Sequence, residues 1–356
     1  MTLEDLGYNE QLESYRLENH LTQFEPGRVI SEHKERYVVK TVEGEYLAEL
    51  LGNLRFTAES RNDFPAVGDW VAIAPYDDDK ALIHAIFPRS SVIERKAVGR
   101  SGQTQIIATN VDYALIVQAV DRDFNLNRLE RYLTICYASK VNPVIVLTKI
   151  DLITADELNK IMDNLSQRIT PGIPILPVSN VNGMGLKPVA AYVKKGKTIC
   201  LLGSSGVGKS TLLNQLAGKE EMKTGDISSA VNKGKHTTTH RELILMENGG
   251  ILIDNPGMRE VGIADTTGGL EMTFEAIVEL ADSCKFKDCT HQHEKGCAVL
   301  EALDSGELDE AAYENFLKMQ RERTRFESSK AELRRKDKSM GKLYKRIQAE
   351  KRNRKF

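Results

Sequence analysis

A glycine-rich segment between an apolar run and a helical pattern constrains this chain more than any other part of its sequence. The apolar run spans residues 198–202 and the helical run spans 211–217. The segment between them matches the pattern G-x4-G-K-[ST] and consists of Gly203, Ser204, Ser205, Gly206, Val207, Gly208, Lys209, Ser210 and Thr211. Glycines let such a loop curl its N–H groups toward phosphate oxygens, and the helix N-terminus adds partial positive charge. The sequence therefore predicts a strand, a phosphate-binding loop and a helix.

Further apolar runs place this loop in an α/β domain. They lie at 113–117, 144–147, 173–178, 198–202 and 251–253, and we interpret them as buried parallel strands. Between the first two runs, four residues recur at helical spacing: Leu129, Tyr132, Leu133 and Cys136. Strand, helix and strand in this order predict a doubly wound sheet. We interpret Cys136 and Cys200, which sit inside these patterns, as core residues.

The predicted loop has the partners that a nucleoside triphosphate and Mg²⁺ require. Lys209 is expected to reach the β and γ phosphates, and Ser210 to ligate Mg²⁺. Asp254 follows the run 251–253, where a carboxylate can hold the hydration shell of Mg²⁺, and Gly257 can donate its N–H to the γ-phosphate. One threonine of the stretch 237–239 could complete the magnesium shell in the triphosphate state; Thr238 is taken as the candidate, although the sequence does not select among the three.

A second motif, at the end of the run 144–147, resembles the guanine-reading N-K-x-D of GTPases. It consists of Thr148, Lys149, Ile150 and Asp151. A carboxylate accepts from both the N1–H and the amine of guanine, a donor pair that adenine lacks, and the stem of Lys149 can cover the base. Ser179 and Asn180 fit the segment that touches the guanine oxygen. A solvated strand-end loop is the alternative, and Thr148 leaves open the tie to the phosphate loop that asparagine makes in other GTPases.

The order of the two motifs is the reverse of that in an ordinary GTPase, because residues 148–151 precede the phosphate loop. Domain termini often lie close together, so a circularly permuted chain can place the same elements at the same positions. The strand that ends at Asp254 then lies near the end of the domain. Whatever follows it is placed to respond to loss of the γ-phosphate.

The flanking segments predict further domains. Residues 1–24 are interpreted as a polar arm, 25–95 as an OB-like β-barrel and 96–109 as a linker. The α/β domain spans 110–268. The barrel offers a face for RNA, although a mere packing module is the alternative. Residues 1–23 lack the apolar core of a signal peptide, and no apolar run is long enough to span a bilayer, which predicts a cytoplasmic protein without a membrane partner.

A cysteine cluster marks a predicted helical domain, residues 269–333. Three of the five cysteines lie within fourteen residues, which favours metal over disulfides in a reducing compartment. Cys284, Cys289, His291 and Cys297 supply four ligands for a closed, structural Zn²⁺ site, with His293 as a rival fourth ligand.

Residues 334–356 form a basic tail that the net charge of −2 conceals. The tail has eleven Lys or Arg residues against two acids. We expect it to contact phosphate backbones in a salt-sensitive way, the alternative being a solvated helix.

Taken together, the permuted order, residues 234–239 (G-K-H-T-T-T), residues 254–257 (D-N-P-G) and the cysteine–histidine cluster resemble the RsgA family, over nearly the whole chain. That resemblance implies GTP hydrolysis stimulated by the small ribosomal subunit, late maturation of that subunit and binding to ribosomal RNA. It also implies a monomer with GTP, Mg²⁺ and one Zn²⁺, and it selects His291 over His293.

The residue after Gly257 bears on the rate of hydrolysis. Met258 stands where many GTPases carry a glutamine that orients water, and a thioether is a poor hydrogen-bonding group. We therefore expect slow intrinsic turnover, with Lys209 and His236 as the catalytic candidates; alternatively, His236 is a loop residue or an RNA contact. The alternative functions are a non-catalytic RNA-binding assembly protein with nucleotide as a structural ligand, and a P-loop ATPase, against which Asp151 argues.

Overall fold

The structure is a computed structural model. It describes residues 1–33, 36–96, 104–121, 124–217, 242–254 and 268–328. The predicted roles of His236, Thr238, Gly257 and the basic tail concern residues outside the described part of the chain.

The N-terminal arm is a packed element. Its helix α1 (Glu10–Glu18) begins after Asn9, whose side chain accepts from the N–H of Leu12. Leu6, Leu12 and Tyr8 are buried, and the Tyr8 ring meets Trp70 edge-on with centroids 4.9 Å apart. The polar composition of the arm therefore conceals a small apolar face that fastens it to the next domain.

Five strands close into the predicted β-barrel. They are β1 (Glu25–His33), β2 (Arg36–Lys40), β3 (Glu45–Leu50), β4 (Trp70–Asp77) and β5 (Lys80–Ile86). Strand β1 pairs with both β2 and β4, so the order β1-β2-β3-β5-β4 returns to β1. The register of β1 shifts between Val29 and Ser31, and such an irregularity bends a strand, which allows β1 to pair with both β2 and β4. A short helix, α2 (Gly52–Thr57), follows β3.

A buried arginine joins the arm, the barrel and the next domain. The guanidinium of Arg28 donates to the main-chain oxygens of Leu6 at 2.6 Å, Gly68 at 3.2 Å and Asn110 at 3.1 Å. It also lies over the ring of Trp70. Burial lowers the pKa of Arg28 to about 10, which leaves it charged at neutral pH. The three carbonyls belong to three separate segments, so this single charge holds them together.

Residues 96–109, predicted as a linker, instead contain a strand. Strand β6 (Val92–Lys96) pairs antiparallel with β7 (Thr104–Thr109). Ile93 and Ile107 are buried in the core of the α/β domain. The linker prediction was wrong because it rested on the polar residues and glycines of this stretch. Its short apolar segment forms a strand because it is buried against residues that are distant in sequence.

The α/β domain contains the predicted doubly wound sheet. Its strands are β8 (Tyr113–Ala119), β9 (Asn142–Thr148), β10 (Ile175–Pro177), β11 (Thr198–Leu202), β12 (Glu242–Leu245) and β13 (Ile251–Asp254). Their order is β10-β9-β8-β11-β13-β12, with β12 antiparallel and every other pair parallel. Helices α3 (Leu126–Ala138), α4 (Ala155–Arg168), α5 (Leu186–Ala190) and α6 (Lys209–Ala217) accompany these strands. Two apolar layers form the core.

Cys136 and Cys200 are core residues, as predicted. Both are buried, and burial raises the pKa of both thiols. In the described segments, a bridge between Ser31 and Glu242 joins this sheet to the barrel.

The C-terminal region is helical and has its own core. It contains α7 (Gly269–Thr273), α8 (Glu275–Asp282), α9 (Ala298–Ser305) and a further helix, α10, over 310–328. Phe274 and Phe316 pack edge-on in this core. Helix α7 approaches α3 so closely that a Cβ on Gly269 would stand 2.3 Å from the carbonyl oxygen of Thr134. Across the described segments, every helix is too short or too polar to cross a bilayer.

Candidate nucleotide site and metal centre

The phosphate loop leaves the end of β11 in a conformation that requires glycine. Gly203, Gly206 and Gly208 have φ values of 146°, 81° and 93°. A Cβ on Gly203 would stand 2.3 Å from the carbonyl oxygen of Val117, whereas a Cβ on Gly206 would meet nothing within 4 Å. The start of the loop is therefore pressed against β8, while its tip borders open space where a ligand can approach.

Lys209 opens helix α6 and folds back under the loop. Its side chain is buried, and the ammonium group donates to the main-chain oxygens of Gly203, at 2.8 Å, and Ser204. These bonds fix a positive charge inside the curl of the loop, at the N-terminus of a helix, where anions are stabilised. Ser210 and Thr211 follow in the first turn and are half-buried.

The loop after β9 is tied directly to the phosphate loop. The hydroxyl of Thr148 is buried and donates to the main-chain oxygen of Val207 at 2.6 Å. The amide of Asn180 donates to the oxygen of Gly208 at 3.1 Å. Thr148 thus makes the contact that the sequence left open, and the two motifs meet in reversed chain order.

The carboxylate of Asp151 is oriented by a neighbouring loop. The hydroxyl of Ser179 donates to its Oδ1 at 2.6 Å, while Asp151 as a whole remains exposed. Lys149 adopts a left-handed φ of 63° and its ammonium group pairs with Asp121 at 2.7 Å. Ile150 is partly buried beside the core. The pairing with Asp121, which the sequence did not suggest, restrains the Lys149 side chain.

Two observations, in addition to the identity of these residues, indicate that the site fits a nucleoside triphosphate. The carbonyl oxygen Oδ1 of Asn180 is buried and has no hydrogen-bond partner within the described residues. The tip of the phosphate loop is exposed at Ser205 and Gly206. A polar ligand spanning Asp151 and Lys209 would cover both.

Part of the predicted site is described only in its main chain or not at all. Asp254 ends β13, the parallel neighbour of β11, so its main chain lies at the sheet edge that carries the phosphate loop. His236, Thr238 and Gly257 lie outside the described residues.

One residue at the loop was missed from the sequence. Arg128, in the first turn of α3, donates to the hydroxyl of Ser204 at 2.6 Å. Helix α3 follows β8, and the carboxyl end of β8 lies beside that of β11. This strand order could have indicated that Arg128 lies near the phosphate loop.

The cysteine cluster has the dimensions of a tetrahedral metal centre. The ligand atoms of Cys284, Cys289, His291 and Cys297 all lie within 4.8 Å of one another. The Sγ atoms of Cys284 and Cys297 are 3.8 Å apart, and each lies 3.4–3.5 Å from Nδ1 of His291. With Zn–S near 2.3 Å and Zn–N near 2.0 Å, a tetrahedron has edges of about 3.8 Å and about 3.5 Å. The cluster includes His291 rather than His293 and fits zinc.

The loop that carries the imidazole is held from two sides. The carboxylate of Glu294 accepts from the N–H groups of Thr290, Gln292 and His293 and from the hydroxyl of Thr290. These bonds hold the pKa of Glu294 well below its usual range. Tyr313 donates to the main-chain oxygen of His291, which has a left-handed φ of 59°. The imidazole is thereby directed toward the thiols before any metal binds.

Comparison with known proteins finds a matching family model and similar proteins. The family model described as RsgA GTPase matches residues 86–264. The chain is 42% identical over 337 residues to the small ribosomal subunit biogenesis GTPase RsgA of Opitutus terrae. The aligned region covers 90% of each protein.

Two solved structures resemble this one. The crystal structure of YjeQ from Thermotoga maritima gives a TM-score of 0.60 at 29% identity and covers 84% of this chain and 98% of that one. YloQ, described as a circularly permuted GTPase, gives a TM-score of 0.62 at 26% identity and covers 86% of this chain and 96% of that one.

Proposed function

Because the chain belongs to the RsgA GTPase family, we propose that it hydrolyses GTP on the small ribosomal subunit and that this hydrolysis controls its own release during late maturation of the subunit. One observation carries the proposal: the loop of Asp151 and the loop of Lys209, in reversed chain order, are bonded to each other through Thr148 and Val207. A guanine reader and a phosphate binder joined in this way suit a single GTP.

The residues divide by the part of the nucleotide that they would hold. The base would lie against residues 148–151, 179 and 180, with Asp151 accepting from guanine. The phosphates would lie in the loop 203–211, where the charge of Lys209 offsets that of the β and γ groups. Ser210, Asp254 and Thr238 would hold Mg²⁺, and Gly257 would donate to the γ-phosphate. When bound, Mg²⁺ neutralises charge that develops on the phosphate oxygens.

Hydrolysis is proposed to be slow without the subunit. Met258 offers no strong hydrogen bond to an attacking water. We propose that His236 positions this water when the protein is bound to the subunit. Replacing His236 with alanine is expected to reduce the stimulated rate sharply and to spare GTP affinity; an unchanged stimulated rate would remove His236 from the mechanism.

The zinc site is proposed to be structural. Three thiolates and one imidazole from Cys284, Cys289, His291 and Cys297 complete a tetrahedron and leave no position for water. Zinc bound there would fasten the loop between α8 and α9, because the ligands come from that loop and its two ends.

The proposed partners are the small ribosomal subunit and its RNA. The barrel and the basic tail are the candidate contacts, and the tail would bind phosphates in a salt-dependent way. We further propose a cytoplasmic monomer without a membrane partner.

A non-catalytic RNA-binding protein that holds nucleotide as a structural ligand is the alternative. Hydrolysis of GTP and of ATP, each with and without purified small subunits, separates the two. The proposal expects turnover of GTP alone and a large increase on adding subunits. GTP binding without turnover under either condition would favour the alternative, and equal turnover of ATP would reject guanine specificity.

A further inference from the structure

Two positive charges converge on one residue of the phosphate loop. Lys209 donates to the main-chain oxygen of Ser204, and Arg128 donates to its hydroxyl at 2.6 Å. Lys209 belongs to the loop motif itself, whereas Arg128 lies on α3, 76 residues away in sequence. Nothing in the phosphate-loop pattern requires the second contact.

The contact with Arg128 holds the limb of the loop that Thr148 and Asn180 do not reach. Thr148 and Asn180 bond the oxygens of Val207 and Gly208, which form the limb next to α6. Ser204 belongs to the opposite limb, next to β11. Between the limbs, the tip is exposed. The loop is therefore supported at both limbs, by the base-side loops on one and by Arg128 on the other.

The helix that carries Arg128 begins at a well-formed cap. Asn125 accepts from the N–H of Arg128 at 2.9 Å, which fixes the first turn of α3. Tyr132, one turn further on, is buried and lies beside the same serine. Burial raises the pKa of Tyr132, and the charge of Arg128 and a hydrogen bond with Ser204 oppose that rise. The three side chains thus form one polar cluster at the edge of the loop.

The remaining faces of α3 are held by the C-terminal helices. Arg131 forms a bidentate pair with Glu322, with distances of 2.7 Å and 2.9 Å. The buried carboxylate of Glu130 accepts from Asn315 at 2.6 Å. These bonds, with the close approach of α7, restrain α3, so that the anchor of the loop is itself fixed.

We propose that Arg128 is a positioning residue for nucleotide binding: through the hydroxyl of Ser204 it holds the β11 limb of the phosphate loop in the conformation that accepts the phosphates. This inference rests on the proposed GTPase function and adds a residue to it. Arg128 acts through Ser204 and is not a catalytic residue. Its positive charge also favours the anionic ligand.

The test is a double-mutant cycle on nucleotide affinity. Arg128→Met, Ser204→Ala and the double variant are titrated with GTP and with GDP in the presence of Mg²⁺. Both single changes remove the bond between Arg128 and Ser204, and Ser204→Ala also removes the hydrogen bond with Tyr132. Arg128→Met is therefore expected to weaken GTP binding about tenfold, which corresponds to about 1.4 kcal/mol, and Ser204→Ala by at least as much. The double variant is expected to bind GTP no more weakly than Ser204→Ala alone, because Arg128 acts through the hydroxyl that this variant already lacks.

A conservative variant separates positioning from a general effect on folding. Arg128→Lys keeps a donor and is expected to remain within about threefold of the wild type, since one charged bond to Ser204 is retained. The preference for GTP over ATP is expected to stay unchanged in every variant. Arg36→Met, which removes an exposed arginine from the barrel, is the matched control and is expected to bind like the wild type.

The outcomes separate this inference from the function on which it rests. Wild-type affinity in Arg128→Met, or losses that multiply in the double variant, would overturn the positioning role while leaving the GTPase intact. A wild-type protein that fails to bind GTP would reject the proposed function itself. Ser204→Ala breaks the contact from the loop side, so it decides the question even if Arg128→Met does not fold.

Discussion

Asp151→Asn exchanges the hydrogen-bonding roles at the proposed guanine site without changing the shape of the side chain. The hydroxyl of Ser179 donates to Oδ1 of Asp151 at 2.6 Å. An asparagine keeps this bond only by presenting its oxygen to Ser179, which turns its NH₂ group toward the base. The variant would then donate where the wild type accepts. The two donors of guanine, N1–H and the amine, would face a donor instead of an acceptor. Xanthine carries an oxygen in place of the guanine amine and would accept from that NH₂.

The magnitude follows from the two bonds that Asp151 is proposed to accept. A hydrogen bond to a charged group contributes about 1.5–3 kcal/mol. Loss of two such bonds costs about 3 kcal/mol at the lower end of that range, which is roughly a hundredfold in affinity at about 1.4 kcal/mol per tenfold. The lower end applies because Asp151 is exposed and water competes for its carboxylate. We expect the affinity for xanthosine triphosphate to rise by a similar factor.

The assay is equilibrium titration of both proteins with GTP, xanthosine triphosphate and ATP in the presence of Mg²⁺. Asp156→Asn, an exposed change of the same chemistry five residues later on α4, serves as the matched control and is expected to leave all three affinities unchanged. GTP binding by Asp151→Asn within about threefold of the wild type, without a gain for xanthosine triphosphate, would mean that this carboxylate does not read the base.

Three further changes test other contacts. Thr148→Val leaves the oxygen of Val207 unpaired and is expected to reduce the free energy of unfolding by about 1–3 kcal/mol and to weaken GTP binding. Thr148→Ser keeps the hydroxyl and is expected to retain the wild-type stability and affinity. Urea unfolding and GTP titration measure the two effects, and a valine variant as stable as the wild type would contradict the prediction. Arg28→Met removes the charge that joins three segments and is expected to cost about 3 kcal/mol or more in the same unfolding assay; a loss below about 1 kcal/mol would show that the junction does not depend on it. Cys284→Ser is expected to lower bound zinc, measured by elemental analysis, and the melting temperature; full zinc content would exclude that thiolate as a ligand.

Local patterns predicted much of this protein. The strand, glycine loop and helix around Lys209 are contiguous in sequence, and the backbone requirements of such a turn are written in its glycines. The four candidate metal ligands lie within fourteen residues, so one loop brings them together. The alternation of apolar strands with helices predicted the doubly wound sheet, and the reversed motif order predicted its permuted connectivity, because both depend on patterns along the chain.

Other features depend on residues that only the fold brings together. Thr148 is 59 residues from Val207, and Arg128 is 76 residues from Ser204. Arg28 has a sequence environment like that of any surface arginine, yet it lies at the junction of three segments. Sequence periodicity reports which residues are buried but not which distant polar group each one meets, since that partner is chosen by strand order and helix packing. The sequence by itself therefore determined the two motifs and the candidate metal ligands, while the tertiary structure alone decided that the motifs are bonded to each other and that Arg128 on α3 contacts the phosphate loop.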